Sequence, residues 1–281
     1  MSKFDKVYLD LCEEILGEGV YSQNRTGTPT YNVNGKHLKF NLSEEFPILT
    51  TKFVAFKHSV LEMLWIFQKA SNDVKWLQER GITIWDEWQI DGNGMYNGKN
   101  YGREFAGTIG TAYGYIVNKY NLMQKAIDTI KNNPSDRRNI VNLFQYETLE
   151  GGTLPPCVYM HQWLVNEDKL DIIVYQRSCD VPLGFPFNVT QYAVLANLVA
   201  QVTGYKPGTM YWNIGSCHIY ENQIEGIKLQ LSRKSEAKPA PKLWINSEIS
   251  DFWAFDNSKE LKDIKLIGYE HLGKIAMPVS V

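Results

Sequence analysis

Apolar residues at Phe4, Val7, Tyr8, Leu11, Cys12, Ile15 and Leu16 recur at steps of three and four, which lays one stripe along an α-helix. The spacing predicts an amphipathic helix at the start of the chain, stopped by Gly17 and Gly19. Cys12 falls on the stripe and reads as core. Residues 60–67 are almost continuously apolar around a single carboxylate, Glu62, and predict a buried helix. A second amphipathic helix is expected over 121–131, ended by Asn132-Asn133-Pro134. Segments 140–146, 158–165 and 170–176 are rich in Val, Ile, Tyr and Trp and read as strands. Tyr192, Leu195, Val199 and Val202 mark a further helix closed by Gly204, and strands are expected near 210–214 and 243–245. Glycines at 92, 94, 98, 102 and 107 make 89–110 a long surface loop.

Runs of strands between long helices favour an α+β fold over a doubly wound sheet, and the absence of any linker or repeat favours one large domain over residues 1–281. Composition narrows the function classes. Lys and Arg number 29 against 31 Asp and Glu, so there is no basic excess for coating nucleic acid, and the 44% hydrophobic content argues against disorder. No apolar run is long enough to span a membrane. The opening Met1-Ser2-Lys3-Phe4-Asp5 lacks the apolar core of a secretion signal, so a cytoplasmic protein is expected. Four widely spaced cysteines without a CxxC pair imply free thiols and no metal site.

Three segments mix polar groups with apolar strands beyond what packing requires. Leu154-Pro155-Pro156-Cys157 puts a cysteine at the start of a strand, after two rigid prolines. Gln176-Arg177-Ser178-Cys179-Asp180 continues through Leu183-Gly184 to Asn188, setting an arginine at the end of an apolar strand before a Gly/Pro turn; a buried guanidinium there would need an anionic partner. Ser135-Asp136-Arg137-Arg138 offers two adjacent forks suited to a phosphate, or simply a solvated pair.

With these segments the chain resembles the thymidylate synthase family nearly end to end. The resemblance also runs through Arg25-Thr26-Gly27-Thr28, Thr50-Thr51-Lys52, Glu62-Met63-Leu64-Trp65, Ile84-Trp85-Asp86-Glu87-Trp88, Ala112-Tyr113-Gly114, His218-Ile219-Tyr220 and Met277-Pro278-Val279-Ser280-Val281. It implies a mixed sheet packed by helices, with sheet faces forming a homodimer interface. It implies reductive methylation of dUMP by 5,10-methylenetetrahydrofolate, with Cys157 adding to uracil C6. Arg25, Arg177 and Ser178 would hold the phosphate, joined by Arg137 and Arg138 from the partner chain. Gln176 would be a further substrate-binding residue, and Asn188 would read the base, because a neutral amide can pair with uracil O4 and N3–H. His218 and Tyr220 would bind the ribose. Glu62 would be the general acid/base, its carboxyl raised by desolvation, and Tyr113 would help remove the C5 proton. Lys52, Ile84, Trp85, Asp180, Leu183, Gly184 and the Val281 carboxylate would bind or enclose the folate. No membrane or nucleic-acid partner is implied.

The chain departs from the family pattern at several points. Val158 stands where many relatives have histidine, Thr190 where alanine is usual, and Ser216 where an aspartate is common. These changes leave open a dUMP hydroxymethylase of the same fold, in which water replaces hydride. A non-catalytic nucleotide- or RNA-binding relative is the remaining alternative, against which Cys157, Glu62, Tyr113, Asn188 and Asp180 all speak.

Overall fold

Ser2 starts the first helix, its hydroxyl accepting from the Asp5 backbone N–H at 2.9 Å. The wholly buried Asp5 carboxylate in turn accepts from the backbone and hydroxyl groups of both Thr50 and Thr51 at 2.6–3.1 Å. A buried carboxylate is tolerable only when so surrounded by donors. The Thr50-Thr51 pair therefore anchors the N-terminal helix to the rest of the chain.

The structure is a computed structural model and describes residues 1–280. Its helices are α1 (Lys3–Glu18), α2 (Phe56–Phe67), α3 (Val74–Gln78), α4 (Gly114–Tyr120), α5 (Leu122–Asn132), α6 (Tyr146–Leu149), α7 (Gly184–Thr203) and α8 (Ile224–Ser232). Among the strands, β1 (Val20–Ser22), β2 (Thr30–Asn41), β3 (Met95–Tyr96), β4 (Lys99–Asn100) and β5 (Ile140–Asn142) precede the central pair. That pair is β6 (Val158–Asn166) and β7 (Lys169–Asp180), followed by β8 (Lys206–Tyr220), β9 (Lys242–Ile245) and β10 (Ile264–Ile267).

Six strands form one mixed sheet in the order β1-β2-β8-β7-β6-β5. All neighbours are antiparallel except β7 and β8, which run parallel with Val174 opposite Trp212. A parallel pair needs a long crossover, and α7 supplies it. Burial alternates along both strands: Ile172, Val174 and Gln176 on β7 and Met210, Trp212 and Ile214 on β8 point inwards. The rings of Phe185 and Tyr192 from α7 meet Trp212 edge-on, with centroids 6.0 and 5.5 Å away. Each such ring contributes about 1.5–3 kcal/mol by leaving water. Ile173, Tyr175, Tyr211 and Asn213 face the other way and are only half-buried.

This is the expected α+β domain, with boundary differences that have physical reasons. The strand expected over 140–146 stops at Asn142, and Tyr146 opens α6 instead. Gly184 and Pro186 make the first turn of α7 rather than a turn outside it, because proline needs no N–H donor there. The strand near 210–214 extends from Lys206 to Tyr220, carried by pairing to β2 and β7 that periodicity does not register. The 89–110 segment is mostly irregular, with the β3–β4 hairpin inside it and Ile90 and Ile109 buried as its anchors. Among the described residues no helix is long and apolar enough to cross a membrane, all four cysteines are free, and no cluster of three metal-binding side chains occurs.

Close packing makes one glycine indispensable. A Cβ on Gly114 would lie 1.9 Å from the Ser71 carbonyl oxygen, just after Tyr113, whose backbone sits at φ +47°. Gly114→Ala is expected to lower stability by about 2–3 kcal/mol, read by denaturant unfolding. A change below about 0.5 kcal/mol would show that this contact yields freely.

Candidate active site

Cys157 lies immediately before β6, where the two prolines deliver it to the end of the sheet. Arg177, on the adjacent strand β7, is exposed rather than buried, and its guanidinium is held by the strand's own neighbours. Its Nε donates to the Pro156 carbonyl at 2.9 Å, and Nη2 donates to the Pro155 carbonyl at 2.8 Å while lying 3.7 Å from the Cys157 sulfur. The anionic partner expected for a buried arginine is therefore not required. Burial pushes the Cys157 thiol up, and the Arg177 and Arg25 guanidiniums pull it back only partly.

The thiol sits where two cavities meet. One, of about 250 Å³, is lined by Arg25, Arg177, Ser178, Ser216, His218 and Tyr220 among others. Its wall combines guanidiniums and hydroxyls, groups that suit a phosphorylated sugar. Burial drives His218 down to about 4, so it is a neutral hydrogen-bonding group at neutral pH. Ser216, which replaces the commoner aspartate, donates to Asn32 Oδ1 at 2.9 Å and lies 3.3 Å from His218 Nδ1. Val158, in place of a histidine, lines the second cavity.

That second cavity, of about 70 Å³, is narrower and brings Cys157 together with Glu62, Trp85, Tyr113, Asn188 and Gln191. Glu62 hangs from α2 and is 6% exposed. Trp85 Nε1 donates to one carboxylate oxygen and Gln191 Nε2 to the other. Burial still raises the carboxyl to about 7, because the two donors offset only part of the desolvation. The Tyr113 hydroxyl accepts from the Cys157 backbone N–H at 3.3 Å, holding phenol and thiol together. Asn188, in the second turn of α7, accepts from Gln176 Nε2 at 3.3 Å and donates to Gln191 Oε1 at 3.1 Å.

Residues expected on the folate side are more dispersed. Asp180 accepts from the Leu183 backbone N–H at 3.0 Å and from Gln223 Nε2 at 3.1 Å, and burial raises its carboxyl. Gly184 borders it: a Cβ there would lie 4.0 Å from Asp180 Cβ and 3.6 Å from Asn188 Oδ1. Ile84 is exposed, whereas Trp85 is buried and stacked edge-on with Trp88 and Tyr113. Lys52, expected on the folate side, has a buried amine that donates to the Pro182 carbonyl. Burial brings that amine down to about 8. Arg137 and Arg138 are exposed at the β5 edge and line neither cavity, and Arg138 pairs with Asp136 at 2.9 Å rather than standing as a free fork. Val281 lies outside the described residues.

Gln191 and Gln223 were missed in the sequence. Gln191 is a polar residue within the apolar run of α7, a signal that was available, whereas Gln223 follows Glu221 and Asn222 and carries no such signal. Gln223 donates to Asp180 and also to the Pro278 carbonyl at 3.0 Å, so it ties the C-terminal segment to this side of the cleft.

The fold is α+β, and its cleft gathers polar and titratable groups around a thiol. A family model described as thymidylate synthase matches residues 6–281. The chain is 49% identical over its full length, and that of the relative, to a thymidylate synthase of Clostridium beijerinckii. It is 41% identical, again with both chains fully covered, to the thymidylate synthase of Bacillus phage phi3T. Among solved structures it is similar to the thermostable thymidylate synthase A of Bacillus subtilis, with TM-score 0.88, 39% identity and 99% of each chain covered. The chain belongs to the thymidylate synthase family, a family of methyltransferases.

The Glu62 carboxyl links the site to stability. Unfolded it titrates near 4.5 and folded near 7, so between those values the native state holds a proton that the unfolded state has lost. Its contribution is therefore full below pH 4.5 and declines by about 3 kcal/mol as pH rises to 7. Glu62→Gln should flatten that part of the profile of unfolding free energy against pH. Parallel slopes for the two proteins would exclude this assignment.

Proposed function

We propose that the chain catalyses reductive methylation of dUMP to dTMP, and that Cys157 adds to uracil C6. The observation that carries this reading is the position of the thiol, against a guanidinium on one side and within one cavity with a carboxyl titrating near 7 and a phenol on the other. Addition of sulfur at C6 makes C5 nucleophilic, and that carbon then captures a one-carbon unit. Burial raises the thiol, and the Arg177 and Arg25 guanidiniums pull it back towards the thiolate. Glu62, poised to gain or lose a proton near neutrality, manages the proton at O4, and Tyr113 lies beside the thiol to assist loss of the C5 proton.

Asn188 reads the base, with Gln176 holding its amide. Ser178, His218 and Tyr220 serve the phosphate and ribose. 5,10-Methylenetetrahydrofolate would supply the one-carbon unit and then hydride. Asp180 fits its pterin, since its partly buried carboxylate can accept from ring N–H groups, and Leu183 and Gly184 lie beside it; Ile84 and Trp85 would pack against the folate. The Val281 carboxylate would complete the enclosure. The relatives named above are all thymidylate synthases, so the hydroxymethylase alternative is not favoured.

The half-exposed face carrying Ile173, Tyr175 and Tyr211 supports a homodimer, because an unpaired sheet face of that size gains by burial. Arg137 and Arg138 stand at the opposite edge of the sheet from the strand leading to Arg25, which supports their serving the partner's phosphate site rather than their own. Reduced free thiols suit a cytoplasmic location.

Incubation with dUMP and methylenetetrahydrofolate should yield dTMP by mass and an equal amount of dihydrofolate; a hydroxymethyl product without dihydrofolate would sink the reading. Cys157→Ser should abolish turnover and the covalent adduct with 5-fluoro-dUMP. Arg137→Glu mixed with Cys157→Ser, each inactive alone, should recover about one quarter of wild-type activity, as expected when half the dimers are mixed and one of their two sites is intact. No recovery after verified subunit exchange would argue against a shared site.

A further inference from the structure

A continuous file of hydrogen bonds runs behind the narrow cavity. Trp212 Nε1 donates to Gln176 Oε1 at 2.9 Å, and Gln176 Nε2 donates to Asn188 Oδ1 at 3.3 Å. Asn188 Nδ2 donates to Gln191 Oε1 at 3.1 Å, and Gln191 Nε2 donates to Glu62 Oε2, while Trp85 Nε1 occupies the other oxygen. Both ends of the file have a fixed sense. An indole N–H can only donate, and an ionised carboxylate can only accept. Each of the three amides between them then has one orientation that satisfies every link. Turning any one over sets N–H against N–H on one side and oxygen against oxygen on the other.

Gln191 is 3% exposed and is the link between the base-reading amide and the carboxylate. If Glu62 takes up a proton, whichever oxygen carries it faces an existing N–H. Trp85 cannot reverse its donor. Gln191 can, by turning its amide so that its oxygen accepts from the carboxylic acid. Its N–H then faces Asn188, which turns in the same way, so that the one mismatch moves from the carboxyl to the 3.3 Å link between Asn188 and Gln176, the longest in the file. A turned Asn188 offers oxygen where it offered N–H, the pattern that complements cytosine rather than uracil.

We propose that Gln191 is a positioning residue that couples the orientation of the Asn188 amide to the ionisation of Glu62, so that uracil is preferred over cytosine only while Glu62 is a carboxylate. This deepens the reading of the site as a dUMP site and rests on it. Glu62 is the one charged side chain lining the cavity among the described residues; Tyr113, Tyr192 and Cys157, which share it, are neutral there. Titration of Glu62 near 7 places the transition within reach of ordinary buffers.

The test is competitive binding of dUMP and dCMP to the full-length protein from pH 5.5 to 8.5. Both nucleotides carry the same phosphate, so its titration cancels in the ratio. In the wild type the preference for dUMP should fall at least about tenfold on the acid side of neutrality, as one misdirected hydrogen bond is lost. Gln191→Met, which fills the same space without an amide, should show a low preference that no longer changes with pH, and Glu62→Gln should also give a flat ratio. A wild-type ratio constant across the range would overturn the proposal without recourse to any variant. So would a folded Gln191→Met protein with the wild-type ratio and pH profile. Failure to turn over dUMP with folate would instead defeat the functional reading, and the two failures are told apart because the ratio needs binding alone.

Discussion

A carboxylate withdrawn from water is the constraint on which the site depends. Glu62 sits on a helix whose other side chains from Ser59 to Phe67 are all buried, and it is tolerated because two N–H groups from separate parts of the chain converge on it. One comes from Trp85, at the entry to a short turn, and the other from Gln191 on α7. Meeting both donors fixes how α2, α7 and the 85–88 turn lie relative to one another. The residual desolvation keeps the carboxyl protonatable near neutrality, which is a chemical property obtained from packing.

The Cys157 thiol shows the opposite balance. Cys157 is placed by the end of a sheet and not by a helix, and its surroundings raise the thiol although a guanidinium lies against the sulfur. That guanidinium is preorganised by two proline carbonyls, groups that its own strand register brings within reach. Arg177 shares its cavity with a second guanidinium, Arg25, so positive charge is concentrated on that side of the sulfur.

The mixed sheet explains why these groups converge. Its single parallel pair, β7 and β8, brings Arg177, Ser178 and Asp180 alongside Ser216 and His218, with Asp180 opposite His218 in register. The crossover that this pairing demands is α7, whose first two turns then deliver Asn188 and Gln191 to the same edge. Topology and chemistry are joined at that point: an antiparallel connection would have needed only a short turn and would have left no helix there.

Much of this was legible along the chain. The stripe of α1, the lone carboxylate in an apolar run, the proline-led cysteine and the Gln176–Asn188 segment depend on local spacing and composition, which a sequence displays directly. Strand ends, the exposure of Arg177, the inward turn of Lys52, the service of Thr50 and Thr51 to Asp5, and the amide file through Gln191 were not legible. Each depends on a partner far away in the sequence: Asp5 on residues 50–51, Lys52 on Pro182, Glu62 on Gln191. The amino-acid sequence by itself determined which elements form and which side chains carry chemistry, because helix and strand periods are short-range properties. Only the tertiary structure decided the direction of each hydrogen bond and the protonation each group can reach, because desolvation and donor geometry are properties of the packed neighbourhood.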